Sequence, residues 1–173
     1  MDDFEVIEDN FATYANLLLS DAEARYKALR GCSFFDPVSD EWLKRISEMA
    51  RIQIFNSDVC LTSQDDDTKA FYVILLGTAE AYRNGKLVGT INTGECFGEG
   101  IFFANGIITS SATVIADYKI IAAEFSQAVV EELQNDADAM ISMDKALLLA
   151  LFKKLQGANR KIEKLMLMQS SSG

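Results

Sequence analysis

Apolar residues at Phe4, Ile7, Phe11, Tyr14 and Leu18 recur at intervals of three and four, so the chain opens with an amphipathic helix over residues 3–19. Ser20-Asp21-Ala22-Glu23 reads as a capping box, with Ser20 and Glu23 closing free amides of a second helix. That helix runs to about Leu29 and stops at Gly31. Phe34 and Phe35 form an apolar anchor before a turn at Asp36-Pro37. A third helix starts near Ser39 and buries Trp42, Ile46 and Met49. From Arg51 the period changes to two. Short strands are expected at 51–55, 59–62, 70–76, 78–82, 87–92, 110–116 and 119–125, with a hairpin turn at Asn84-Gly85. Strands this short and evenly spaced point to a sandwich or barrel and not to a parallel sheet.

The pattern returns to a helical period at the end. Ser126 is placed to cap a short helix that buries Val129, Val130 and Leu133. A polar break at 135–138 leads into a long helix ending near Met168. Its Leu148, Leu151, Leu155, Ala158, Ile162 and Leu165 occupy a and d heptad positions, the seam of a dimerisation helix. Phe152 and Met166 widen that stripe on its e side, and Asn159 lies beside it. The chain therefore divides into an N-terminal helical extension (1–30), a β-barrel sensor region (31–134) and a C-terminal helix (135–168).

Charge and composition narrow the function. The chain has 173 residues and a formal net charge of −10. Phosphate-rich nucleic acid calls for a basic face, so DNA binding is not expected. The first helix carries the acids Asp2, Asp3, Glu5, Glu8 and Asp9, and no basic residue precedes Arg25. The long helix is basic at Lys145, Lys153, Lys154, Arg160, Lys161 and Lys164, and the acidic first helix is expected to pack close to it. No basic-then-apolar leader follows Met1, and no apolar run reaches spanning length, so the expectation is a cytoplasmic protein away from the membrane. With no histidine, the common zinc sites, serine–histidine and cysteine–histidine catalysis are excluded, and no catalytic or metal residue is assigned. Cys32, Cys60 and Cys96 lack metal or redox spacing and read as free thiols. Asp65-Asp66-Asp67 lacks the alternation of a calcium loop and reads as a solvated turn.

One stretch, 92–114, combines glycines with an apolar run and a return into β-branched residues. It looks like a cradle for a small anion, yet neither Lys nor Arg occurs between Lys86 and Lys119. Of Phe102 and Phe103, one is expected in the core and the other exposed.

The order of elements, with Phe34 to Leu43, Ala70 to Gly77, Gly94 to Glu99 and Ser111 to Val114, resembles the cyclic nucleotide-binding domain of catabolite activators, kinase regulatory subunits and gated channels. The resemblance covers roughly Leu29 to Met168. It implies an α+β, mainly β fold: an antiparallel jelly-roll barrel with N-terminal helices and a long C-terminal helix. It makes 92–114 the phosphate-binding cassette, with Glu99 holding a ribose hydroxyl and Gly98 and Gly100 letting backbone amides near the phosphate. The family's phosphate-pairing arginine aligns with Ser110, next to Ser111. A charge-assisted contact contributes about 1.5–3 kcal/mol, so its loss weakens binding roughly ten- to a hundredfold.

These readings describe a non-catalytic, stand-alone regulatory module with weak or altered binding of a cyclic nucleotide or related small ligand. Its candidate ligand residues are Gly98, Glu99, Gly100, Ser110 and Ser111. It is expected to form a homodimer and to act on an effector protein. The alternative is an interaction domain that keeps the fold and binds no nucleotide.

Overall fold

The computed structural model describes residues 3–103 and 108–170, and side chains from residue 8 to residue 169 outside the gap. Several sequence features fall outside these limits: the acids Asp2, Asp3 and Glu5, the first apolar positions Phe4 and Ile7, the cassette tip 104–107 and the last residues 171–173.

Helices α1 (Asp3–Ser20), α2 (Ala22–Arg30) and α3 (Asp40–Met49) precede eight strands. These are β1 (Arg51–Phe55), β2 (Cys60–Thr62), β3 (Ala70–Leu76), β4 (Ala79–Arg83), β5 (Lys86–Ile91), β6 (Cys96–Phe97), β7 (Thr113–Ala116) and β8 (Ile120–Ser126). Helices α4 (Gln127–Gln134) and α5 (Ala137–Ser170) complete the chain. Two four-stranded antiparallel sheets, in the orders β1-β8-β3-β6 and β2-β7-β4-β5, face each other. This is the expected mainly β fold with flanking helices.

Alternation along β3 and β8 builds two cores. Ile74 and Ile120 point between the sheets, where they meet Ala79, Ile91, Phe97, Val114 and Ala116. Phe71, Val73, Leu75, Ile121, Ala123 and Phe125 point the other way and are covered by helices. Phe71 touches the Phe34, Phe102 and Phe125 rings, with centroids 5.2, 5.3 and 5.7 Å away. The anchor before α3 and the cassette are thus fastened to the same strand. The hairpin between β4 and β5 has positive φ at both Asn84 and Gly85, 52° and 72°. That is the backbone of a type I′ turn, as the dipeptide indicates.

Several local expectations change. The cap of α2 is Asp21, whose carboxylate accepts from the amides of Glu23 and Ala24. α1 runs on to Ser20, so the Ser20 hydroxyl donates back to the Asn16 carbonyl at 2.8 Å instead. Ser126 precedes α4 without a side-chain capping bond. Asp136 caps α5 by accepting from Ala139 N–H at 2.9 Å. In α3 the buried apolar residues are Leu43 and Ile46, whereas Trp42 is only half-buried beneath the Arg45 guanidinium. β6 is an additional two-residue strand paired with β3.

The first part of α5 docks through Ala139, Met143, Ala146 and Leu147, all buried at helical spacing. Beyond Ala150 no described residue of α5 is buried. Leu148, Leu155, Ile162 and Leu165 are 65, 58, 55 and 61% exposed, while Leu151 is half-buried and Ala158 exposed. The heptad seam is therefore open to solvent in the single chain.

Acidic α1 does not pair with basic α5 among the described residues. Glu8 of α1 instead takes the Lys119 ammonium and the Tyr118 hydroxyl, at the turn between β7 and β8. The reason is position: α1 lies against the β1 side of the barrel, and α5 leaves on the side of the cassette.

Candidate functional site

The cassette begins where β6 ends. Gly98 has φ +77°, and a Cβ there would stand 2.4 Å from the Ala70 carbonyl oxygen. Glycine is required because the chain turns left-handed while pressed against β3. This turn aims residues 99–103 back over the barrel as a short 3-10 helix. Ile101 and Phe102 are buried beneath it, and Phe103 is exposed, as the pairing of the two phenylalanines suggested. The space that a side chain on Gly100 would need is occupied by Ile108, whose Cγ2 lies 2.8 Å from the Cβ position. The two limbs of the cassette thus close on each other at Gly100.

Glu99 has a partner that the sequence did not reveal. Lys154 of α5 donates to Glu99 Oε1 at 2.6 Å, with the carboxylate side chain 19% exposed and the lysine 43%. One helical heptad further on, Lys161 donates to the Val88 carbonyl of β5 at 2.6 Å. The lack of Lys and Arg between Lys86 and Lys119 does not leave Glu99 unpaired: a cation reaches it from a different element. Lys154 could have been singled out only by its heptad position beside the seam, because it lies 55 residues from Glu99.

Ser110 faces other surroundings. Asp65 N–H donates to the Ser110 carbonyl at 2.8 Å, and Ser110 N–H donates to the Asp66 carbonyl at 2.7 Å. Thr68 N–H donates to the Ile108 carbonyl at 2.8 Å, and Thr68 and Ser110 hydroxyls lie 3.3 Å apart. The closing limb of the cassette is therefore zipped to the loop between β2 and β3. That loop brings Asp65, Asp66 and Asp67, all exposed, together with Ser110, Lys69, Cys60 and Tyr72 around a polar cavity of about 570 Å³. Glu99 does not belong to this lining. Ser111 is exposed beside it. The structure thus sets Gly98, Glu99 and Gly100 on one limb and Ser110 and Ser111 on the other.

Electrostatically, the position aligned with the family's arginine shares its cavity with three carboxylates and one ammonium, Lys69, so the local balance of charge is negative. An approaching phosphate meets like charge there, and like charge at close range opposes binding. The buried Cys96 thiol stays protonated at neutral pH. Burial pushes Cys96 up to about 12, with Lys154 opposing the shift and Glu99 and Glu95 adding to it. Cys60 is exposed, its sulfur 3.2 Å from the Thr62 carbonyl. Burial and the neighbouring Glu124 carboxylate raise Tyr72 to about 12, so it stays a neutral phenol. Among the described residues no group of His, Cys, Asp or Glu is arranged to hold a metal ion. No helix among them is long and apolar enough to cross a membrane.

The sequence profile of the cyclic nucleotide-binding domain matches residues 52–136, from β1 to the entry of α5. Residues 52–136 form a cyclic nucleotide-binding domain. The family takes cAMP or cGMP and is regulatory rather than catalytic. Solved structures with this fold include a candidate cyclic nucleotide-binding protein from Geobacter metallireducens, 18% identical with a TM-score of 0.66 over 75% of this chain and 96% of that one. The sensor domain of the transcriptional regulator DNR from Pseudomonas aeruginosa is 18% identical, with a TM-score of 0.60 over 82% of this chain and 93% of that one. The c-di-GMP-responsive regulator CLP of Xanthomonas campestris is 16% identical, with a TM-score of 0.64 over 74% of this chain and 65% of that one. At these identities the likeness is one of fold. No curated protein matches the sequence.

Proposed function

We propose that the chain is a non-catalytic, cytoplasmic regulatory module whose cyclic nucleotide-binding domain binds cyclic nucleotides weakly and signals through α5 to an effector protein. The observation that carries this reading is the environment of Ser110. An uncharged residue stands where the family pairs an arginine with phosphate, and backbone bonds tie it to a loop of three exposed aspartates. Missing cation and added like charge act in the same direction. Isothermal titration with cyclic AMP, cyclic GMP and cyclic di-GMP tests it. Dissociation constants of about 0.1 mM or weaker are expected. Low-micromolar binding of any of the three overturns the reading.

The output element in this proposal is α5, working as one half of a parallel homodimer. Its seam is apolar and exposed, and the flanking e positions Phe152, Asn159 and Met166 carry no charge. In a parallel pair these face the partner's Lys154 and Lys161 without like-charge repulsion; an antiparallel pair would set lysine against lysine. Light scattering at about 50 µM is expected to give twice the chain mass, and Leu155→Glu with Ile162→Glu to give the monomer. A monomeric wild type at that concentration refutes the dimer.

A second reading, an interaction domain that takes no nucleotide, is favoured by one observation: Glu99, the residue aligned with the ribose acceptor, already holds Lys154.

A further inference from the structure

The distal half of α5 is an odd passenger. From Leu151 onward it buries no described residue, yet it lies along the barrel instead of projecting away from it. Lys154 and Lys161 both reach the barrel from it. They are seven residues apart, two helical turns, and so share one face about 10 Å apart along the axis. Lys154 reaches the half-buried Glu99 at the start of the cassette. Lys161 reaches the Val88 carbonyl, and its ammonium lies 3.8 Å from where a side chain on Gly89 would begin. The absence of a side chain at Gly89 leaves β5 open to it. Leu155, Ile162 and Leu165 of this half face solvent.

We propose that Lys154 and Lys161 form a two-point clasp that holds α5 against the cassette and β5 without any ligand, an autoinhibitory contact because Lys154 occupies Glu99, the candidate ribose acceptor. This deepens the weak-site reading above and rests on it for its regulatory meaning. One contact is a charge pair and the other an ammonium on a single carbonyl. Salt and competing acids therefore loosen the clasp, whereas packing would hold against both. Release from the barrel removes two anchors of the distal half, which then opens locally more often.

Hydrogen exchange of the full chain without nucleotide tests this, with the oligomeric state of each variant checked by light scattering. Lys161→Met, Lys154→Met and Glu99→Gln should each speed exchange in residues 151–168 about three- to tenfold. Lys161→Arg, which keeps a cationic donor, should restore most of the protection. Glu99→Gln combined with Lys154→Met should add little to either alone, because both remove one contact. Raising salt from about 0.05 to 0.5 M should act on the wild type in the same direction as the single variants. Unchanged exchange in Lys161→Met, or additive effects of Glu99→Gln and Lys154→Met, overturns the clasp. Tight nucleotide binding in the titration would sink the weak-site reading while leaving the exchange result intact, so the two failures are distinguishable.

Discussion

Gly98→Ala is expected to lower folding stability by about 3 kcal/mol, measured by urea denaturation with the midpoint and slope fitted together. Two costs add. A left-handed backbone disfavours any side chain by about 1–2 kcal/mol. Overlap in a packed site costs about 1–3 kcal/mol more. The overlap is certain here, since the new Cβ would stand 2.4 Å from the Ala70 carbonyl oxygen, and that oxygen belongs to the central strand β3. Gly85→Ala separates the two terms. It has nearly the same φ, +72°, with nothing within 4 Å of its Cβ position, so it should cost about 1 kcal/mol. Equal losses at the two glycines would show that the cassette lifts off β3, and would remove the reason given for glycine at 98.

Ser110→Arg is expected to raise cyclic AMP affinity about tenfold, the lower end of what a restored charge-assisted contact supplies. The gain is held down because Asp65, Asp66 and Asp67 line the cavity that the new guanidinium would enter. Those carboxylates compete for it before any phosphate arrives. Adding Asp65→Asn should bring the gain towards a hundredfold. Asparagine suits that position because the Asp65 backbone is left-handed, φ +67°, and asparagine accepts this conformation readily. Calorimetry on the three proteins gives the comparison, with thermal unfolding used to confirm that each remains folded. A folded Ser110→Arg variant with no measurable affinity would mean that the pocket is closed to nucleotide, and would favour the interaction-domain reading.

Helix α5 shows how far the hydrophobic pattern reaches. The heptad at Leu148 to Leu165 is visible in the sequence, and in the single chain its positions other than half-buried Leu151 lie open. The stripe that docks α5, Ala139 to Leu147, is just as periodic, but small and mixed residues make a weaker signal than a leucine seam. Charge matching misled in the same region. An acidic helix and a basic helix in one chain suggest a pair, yet α1 spends Glu8 on Lys119 and Tyr118 at the far turn of the barrel. Long-range charge attraction in water is weak and screened, so packing decides which helices meet.

What the sequence determined by itself was local. Period-two and helical runs set the elements, Asn84-Gly85 set the hairpin, and the glycines of 94–100 set the start of the cassette. These follow from φ/ψ preference and side-chain alternation over a few residues. The cassette at 92–114 could be read as an inherited frame lacking its arginine from Ser110 alone. Only the tertiary structure decided what surrounds that gap. It zips Ser110 to Asp65 and Asp66 from a separate loop and gives Glu99 a lysine from 55 residues away. Both contacts depend on where the two sheets and α5 lie relative to one another. That placement comes from burying Phe71, Phe102, Met143 and Leu147 together in the core beneath the helices, a collective packing that no single segment encodes.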